Sequence, residues 1–334
     1  MKYLLLFGAM LLHVAGPVNA APVEKEEQRT ALREAARLIE DRYVAVERLD
    51  KLVAALEELE REVTTTVEGE DFAATVTARL REVSGDGHLG LSYSEQPIAE
   101  PEKTSEQLTL NDDFEQWYGA PVNNGVEKIE RFEGNIMLLD LRAFPPPSMG
   151  AETIAAAMNV VAQGEALIID LRRNGGGAET VLLVMGYLVD PGSPFMSTYD
   201  RPSDSWTHQS VPDWVPGKRF GSEKPLYVLT SKRTFSAAEA LAYSLQAMGR
   251  GTIVGEVTGG GAHPFEYRKV STHFALDLPE AMSCHPLTGT NWQDVGVTPD
   301  VAAAREEALD TALRLAREAI KGRSASGSDL RSLP

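Results

Sequence analysis

The sequence has little of what disulfides and zinc sites require. It contains one cysteine in 334 residues, Cys284, so it can form no intramolecular disulfide and offers no Cys-x-x-Cys pair for zinc. Its histidines form no His-Glu-x-x-His or similarly close-spaced set of ligands. The sequence therefore predicts no bound metal and no cofactor.

Basic residues are also scarce. Lysine and arginine number 32 against 49 acidic residues, which gives a formal net charge of −17. Such a surface repels phosphate backbones and makes nucleic acid a poor partner. The shares of hydrophobic residues (43%) and charged residues (24%) are those of an ordinary globular protein, which excludes collagen-like, coiled-coil and disordered chains.

Long apolar runs are absent except near the start of the chain. Lys2 precedes an apolar stretch over residues 3–14, and Val18-Asn19-Ala20 places small residues before a cleavage site. We expect residues 1–20 to be a signal peptide that is cleaved after Ala20, and the mature protein to be periplasmic or secreted with no stable membrane anchor. The sequence does not indicate an oligomeric state.

Hydrophobic periodicity divides the rest of the chain into four regions. Apolar residues recur at helical spacing in three blocks between residues 28 and 83, which predicts an N-terminal helical bundle over residues 21–94. Residues 95–133 are polar and loop-rich, as in a connector or cap. Residues 134–321 alternate apolar strands with helices, which predicts an α/β core with a sheet covered on both faces. The serine-rich residues 322–334 are expected to be disordered.

Two short segments of the predicted core follow apolar strands and precede helices. Residues 170–177 (DLRRNGGG) contain Gly175, Gly176 and Gly177, whose backbone can approach a ligand closely and hold an anion, or can simply make a tight turn. Ser236 lies where the chain turns into a helix, which would expose its hydroxyl and point the N–H of Ala237 in the same direction. Ser236 with Glu239 is equally a well-formed helix capping box.

Further candidates lie outside these two turns. His88 is flanked by glycines in residues 84–90 (SGDGHLG), which suits either a general base or an exposed hairpin histidine. Glycine-rich loops over residues 255–263 and 291–300 fit the mouth of a site or plain surface turns.

The order of these motifs is more specific than any one of them. Asp-Gly-His, Asp-Leu-Arg-x-Asn-Gly-Gly-Gly, Thr-Phe-Ser-Ala-Ala-Glu, Gly-Glu-x-Thr-Gly-Gly-Gly and Asn-Trp-x-x-x-Gly-Val-x-Pro-Asp follow one another over roughly residues 28–303. This series resembles the tail-specific, or carboxyl-terminal processing, serine peptidase family. The resemblance is strongest to the branch with the repeats of interphotoreceptor retinoid-binding protein and the tricorn protease core. It implies a crotonase-like βαβ spiral core with an N-terminal three-helix bundle; residues 95–125 are too few for the PDZ domain of the processing peptidases.

The resemblance also implies site residues. Ser236 matches the nucleophile, Ala237 and Gly176 the oxyanion-hole donors, and His88 the base of the tricorn-like branch. The lysine base of the processing peptidases falls on Gly261, which excludes a serine–lysine dyad. We expect Gly175, Gly177, Gly260 and Gly261 to contact the substrate.

The sequence departs from the family pattern at one position. The usual glutamate partner of the base falls on Gln293, with Asp294 beside it. Glutamine can orient an imidazole by hydrogen bonding but brings no charge to it. Either Asp294 substitutes for the glutamate, or the base has weaker support and the enzyme is slow.

The sequence thus predicts an exported serine peptidase that acts on exposed or unstructured polypeptide ends. The alternative is a weak or inactive family member that binds apolar ligands or peptides, an option kept open by Gln293. A structural protein that uses the glycine loops only as turns is the third and least favoured interpretation.

Overall fold

The computed structural model of the chain describes residues 22–99 and 111–329. The predicted signal peptide lies outside the described residues. Among the helices within those two ranges, none is long and apolar enough to cross a membrane.

Helices and short strands form the N-terminal part, and a strand-and-helix alternation forms the rest. The helices are α1 (Lys25–Arg42), α2 (Leu49–Glu62), α3 (Gly69–Ser84), α4 (Asn111–Tyr118), α5 (Pro147–Val161), α6 (Thr180–Leu188), α7 (Ala237–Ala247) and α8 (Ala308–Asp329), with 3-10 turns at Val46–Arg48 and Ala120–Gly125. The strands are β1 (Pro22–Val23), β2 (Val67–Glu68), β3 (Gly90–Tyr93), β4 (Val126–Phe132), β5 (Ile136–Leu141), β6 (Ala166–Asp170), β7 (Pro194–Asp200), β8 (Ser205–Ser210), β9 (Leu226–Thr230), β10 (Thr252–Gly255), β11 (Phe265–Lys269), β12 (Phe274–Pro279), β13 (Ala281–Cys284) and β14 (Val301–Ala302).

A large central sheet organises the molecule. Its strand order is β14-β10-β9-β6-β5-β4, and all neighbours are parallel except β4 with β5. Alternate residues of each strand enter different cores: Leu167 packs with α5, α6 and α7, and Ile168 packs with α8 on the opposite face. The predicted α/β sheet covered on both faces is therefore confirmed.

The apolar stripes of α1, α2 and α3 bury a common core. Leu32, Leu56 and Val76 from the three helices pack with Leu91 of β3 and Phe274 of β12. Strands β11, β12 and β3 form an antiparallel sheet, so the N-terminal helices share their core with strands that come from far along the chain. This shared core brings the turn after α3 to the central sheet.

The structure differs from the sequence prediction in three segments. Residues 190–224 are a polar stretch of the predicted core in which the sequence indicates no strand, yet they contain the hairpin β7–β8, which pairs with β13. Strand β8 (SWTHQS) is polar enough to hide the strand period. Strand β4, within the predicted connector, is an edge of the central sheet. Helix α8 continues to Asp329, through most of the expected disordered tail, because no proline interrupts it.

Candidate active site

Ser236 lies in a sharp turn between β9 and α7. Its backbone has φ 58° and ψ −121°, a region that residues with a side chain rarely adopt. The turn is fixed on both sides: the N–H of Phe235 donates to the carbonyl of Asn174 at 3.1 Å, and the N–H of Ser236 donates to Glu239 Oε2 at 2.8 Å. The Ser236 residue is buried.

His88 reaches Ser236 from the N-terminal part of the chain. Helix α3 ends at Ser84 and is capped by Gly85, whose left-handed φ of 69° turns the chain toward β3. The turn brings His88 Nε2 to 2.9 Å from Ser236 Oγ, although the two residues are 148 positions apart. A hydrogen bond of this length fits a nucleophile and its general base.

The surroundings of His88 hold its imidazole neutral. The ring lies against Phe235 and Phe265, with ring centroids 4.6 Å and 5.7 Å away. Burial lowers the pKa of His88 to about 4, because the apolar surroundings disfavour the charged ring more than the carboxylate of Asp86 favours it. A neutral ring at physiological pH is able to accept a proton.

Asp86 is a neighbour of His88 that sequence reasoning quoted only as part of a turn motif. Its Oδ1 accepts the backbone N–H of His88 at 3.0 Å and lies 3.9 Å from the ring Nδ1. Its Oδ2 accepts the hydroxyl of Tyr43 at 3.1 Å and lies 2.8 Å from His263 Nδ1. Burial alone would raise the pKa of Asp86, but the hydrogen bond from His263 and the neighbouring charges outweigh burial and lower it.

Gln293 and Asp294 take other partners. Gln293 Oε1 accepts the N–H of Ala262 at 2.7 Å, and its Nε2 donates to Asp294 Oδ1 at 2.9 Å. Asp294 forms a short ion pair with Arg48. Of these three side chains, Asp86 forms the ion-pair contact with the His88 ring, at 3.9 Å from Nδ1, whereas Asp294 is paired with Arg48. No local signal in the sequence distinguishes the two arrangements.

The glycines of residues 175–177 run beside the start of α7. Gly176 has φ 109°, and a Cβ there would lie 2.7 Å from Ser236 Cβ and 3.0 Å from the amide nitrogen of Ala237. Its own N–H donates to Asn174 Oδ1 at 2.8 Å. Gly177 pairs with the backbone of Phe144, and Gly175 is partly exposed in the same turn. Ala237 is the first residue of α7, where N–H groups have no partner within the helix.

Glu239 joins this turn to the glycine loop over residues 258–261. Its carboxylate accepts the N–H groups of Gly260 at 2.7 Å and Gly261 at 2.9 Å, and also the hydroxyl of Thr258. Burial raises the pKa of Glu239 to about 7, and its hydrogen bonds offset part of that effect. Sequence reasoning identified the helix cap but missed the loop partners.

The residues that line the site have the chemistry that acyl transfer uses. A buried hydroxyl, a neutral imidazole and the N–H groups at a helix start are the parts needed for nucleophilic attack on a carbonyl. Within residues 22–99 and 111–329, no group of three or more His, Cys, Asp or Glu side chains is arranged to hold a metal ion.

Two family models match the chain. Residues 133–303 match the model described as peptidase family S41, and residues 24–116 match the N-terminal domain of S41 peptidases in eukaryotic IRBP. A tail-specific protease of Haemophilus influenzae is 30% identical over 115 residues, which cover 34% of this chain and only 16% of that protein.

Solved structures share the fold. A lipoprotein from Streptococcus agalactiae superposes with a TM-score of 0.59 at 14% identity, covering 92% of this chain and 99% of the other. The tricorn protease superposes with a TM-score of 0.56 at 14% identity, covering 89% of this chain and 37% of the other.

Proposed function

Because the chain belongs to peptidase family S41, we propose that it is a serine peptidase that cleaves polypeptides through Ser236 and His88. The observation that carries the proposal is the 2.9 Å contact between Ser236 Oγ and His88 Nε2. Two segments so distant in sequence meet in the geometry that the chemistry needs, in a buried turn with strained backbone.

The reaction follows the two-step course of acyl transfer. Ser236 Oγ attacks the scissile carbonyl while its proton passes to His88 Nε2, and His88 then gives the proton to the leaving amine. A water molecule, deprotonated by His88, attacks the acyl-enzyme and releases the new carboxyl end as Ser236 regains its proton.

The oxyanion requires N–H donors beside Ser236. The N–H of Ala237 at the start of α7 is one donor. The N–H of Gly176 is engaged by Asn174. Since the pairing of Phe144 with Gly177 uses the carbonyl of Gly176 and the N–H of Ala178, the N–H of Gly177 points to the other side of this segment. We therefore assign the second donor to Gly177, in place of Gly176, which the resemblance implies.

The remaining features follow the resemblance given by the sequence. We propose that the core is the crotonase-like spiral, that the N-terminal helices form its companion bundle, and that the substrates are chains with exposed or unstructured ends. Residues 1–20 would direct the protein to the periplasm or the exterior as a signal peptide cleaved after Ala20. The apolar-ligand alternative becomes the favoured function if the protein proves inert.

A fluorophosphonate probe, which reacts with activated serines, tests this function directly. We expect labelling of one site per chain, located at Ser236 by peptide mass spectrometry, and no labelling of Ser236→Ala. Ser244→Ala is the matched control. Ser244 is a buried serine of α7, the helix that Ser236 precedes, and it has no part in the proposed reaction. It should be labelled like the wild type. Folded wild-type protein that takes up no probe would contradict the proposal.

A further inference from the structure

We propose that Asp86, fixed by His263 and Tyr43, is the positioning residue that orients His88 toward Ser236 and stabilises its imidazolium form. The inference rests on the proposed function and deepens it. It assigns to a residue on the same turn as His88 the support that a separate carboxylate would otherwise supply.

Gln293 and Asp294, the residues expected to support His88, have other partners. Both ends of the Gln293 amide are engaged, one by the N–H of Ala262 and the other by Asp294. Asp294 is paired with Arg48 and its side chain is 39% exposed. An exposed carboxylate already neutralised by arginine has little charge left to offer a buried ring.

Asp86 is hydrogen-bonded to the backbone of His88 and faces its ring at ion-pair distance. One oxygen, Oδ1, binds the backbone N–H of His88 and also lies 3.9 Å from His88 Nδ1. That separation is within ion-pair range, so the carboxylate faces the positive charge that the ring acquires when Ser236 loses its proton. Asp86 and His88 are both buried, which leaves this interaction unscreened by water.

The second oxygen of Asp86 argues against a purely local role. An aspartate that only shapes the turn over residues 86–88 needs Oδ1 alone, as in an Asx turn. Oδ2 instead receives the hydroxyl of Tyr43, from the end of α1, and Nδ1 of His263, from the loop before β11. Two distant segments therefore converge on one buried carboxylate and keep it ionised and immobile.

The charges around His88 determine the sign of the effect. Asp86 favours the protonated ring, whereas His263 and Arg81 disfavour it. If the charge of Asp86 is removed, only the unfavourable neighbours remain and the pKa of His88 falls below its value of about 4. The imidazolium that forms during the reaction is then less stable, and the reaction is slower.

The test is Asp86→Asn, which keeps the shape and removes the charge. We measure the rate of fluorophosphonate labelling of Ser236 against pH. We expect a rate lower by about 10²–10⁴-fold, the usual worth of acid–base assistance, and an acid limb displaced to lower pH. Glu280→Gln is the control for loss of a buried carboxylate, because Glu280 pairs with Arg42 and Arg268. It should lower the melting temperature but leave the acid limb in place.

A second set of variants leaves Asp86 itself intact. His263→Asn keeps an N–H donor near the position of Nδ1, and His263→Leu removes it. We expect the leucine variant to label at least about tenfold more slowly than the asparagine variant, with Tyr43→Phe between the asparagine variant and the leucine variant. These variants keep the inference falsifiable if Asp86→Asn does not fold.

Failure of the inference is separable from failure of the proposed function. Equal labelling rates and equal acid limbs for wild type and Asp86→Asn would overturn the role of Asp86 while Ser236 remains the nucleophile. If the wild type takes up no probe, the peptidase function fails. The inference is then decided by the NMR titration of His88 in the wild type and in Asp86→Asn, where an unchanged titration would overturn it.

Discussion

Gly261 lies where any side chain would displace the ring of His88. A Cβ at this position would come within 2.8 Å of His88 Cε1 and 2.2 Å of Phe235 Cζ. The sequence resemblance sets this residue at the lysine of the processing peptidases, and the structure supplies a physical reason why the two bases exclude each other here. The space beside Ser236 holds one of them at a time.

Gly261→Ala should therefore impair the site without unfolding the protein. We expect fluorophosphonate labelling to slow by about 10²-fold, because displacement of a catalytic group by about 1 Å has effects of that size. The measurement is the labelling rate at neutral pH, with circular dichroism to confirm the fold.

Gly322→Ala is the control for this substitution. A Cβ at Gly322, in α8, meets nothing within 4 Å, and alanine favours a helix more than glycine does. Its labelling rate should equal that of the wild type. A Gly261→Ala variant that also labels at the wild-type rate would contradict the prediction, because the added Cβ would then not disturb His88.

At the scale of elements, Glu239 joins the start of α7 to the loop that borders His88. One buried carboxylate accepts N–H groups from Ser236, Gly260 and Gly261. The loop therefore cannot move away from the nucleophile without leaving buried N–H groups unpaired, and each such group costs about 1–3 kcal/mol.

Glu239→Gln tests this connection. The amide nitrogen of glutamine faces N–H donors where the carboxylate had an acceptor, so we expect the free energy of unfolding to fall by about 1–3 kcal/mol and labelling to slow. Urea denaturation measures the first effect. Glu256→Gln, at a partly exposed position near the same loop, should stay within about 0.5 kcal/mol of wild type. Equal stability of the two variants would contradict the connecting role of Glu239.

At the scale of the whole molecule, the site exists only where the N-terminal helices meet the core. The helices bring His88, and the core brings Ser236. Arg201, in the turn of the β7–β8 hairpin, holds the two parts together: its guanidinium donates to the carbonyls of Tyr43 at 2.6 Å and Glu40 at 2.7 Å. Glu40 is in the last turn of α1, where carbonyls have no partner within the helix, and Tyr43 directly follows the end of α1.

Arg201→Ala should weaken this junction. We expect a loss of about 1–3 kcal/mol in the free energy of unfolding and slower labelling of Ser236, because Tyr43 also contacts Asp86. Arg37→Ala on α1 removes only exposed ion pairs with Glu34 and Asp41 and should leave the stability nearly unchanged. The junction is unimportant if thermal denaturation and labelling rate do not distinguish the two variants.

Much of the architecture was predictable from local pattern. The stripes of α1, α2 and α3, the apolar strands of the central sheet and the order of the motifs predicted an α/β member of this peptidase family, and the family match confirms that identification. The hairpin β7–β8 was not predictable, because β8 is polar apart from Trp206 and owes its pairing to β7. Strand β4 was missed for a similar reason, since charged residues dominate an edge strand.

The sequence by itself determined which residues are candidates for chemistry, because a serine before a helix and a histidine between glycines are local signals. Only the tertiary structure decided their partners. It set Asp86, with His263 and Tyr43 behind it, 3.9 Å from Nδ1 of His88, and it turned Gln293 toward Ala262. The reason is that a side chain's partner depends on how segments far apart in the chain pack together, and that packing leaves no local trace in the sequence.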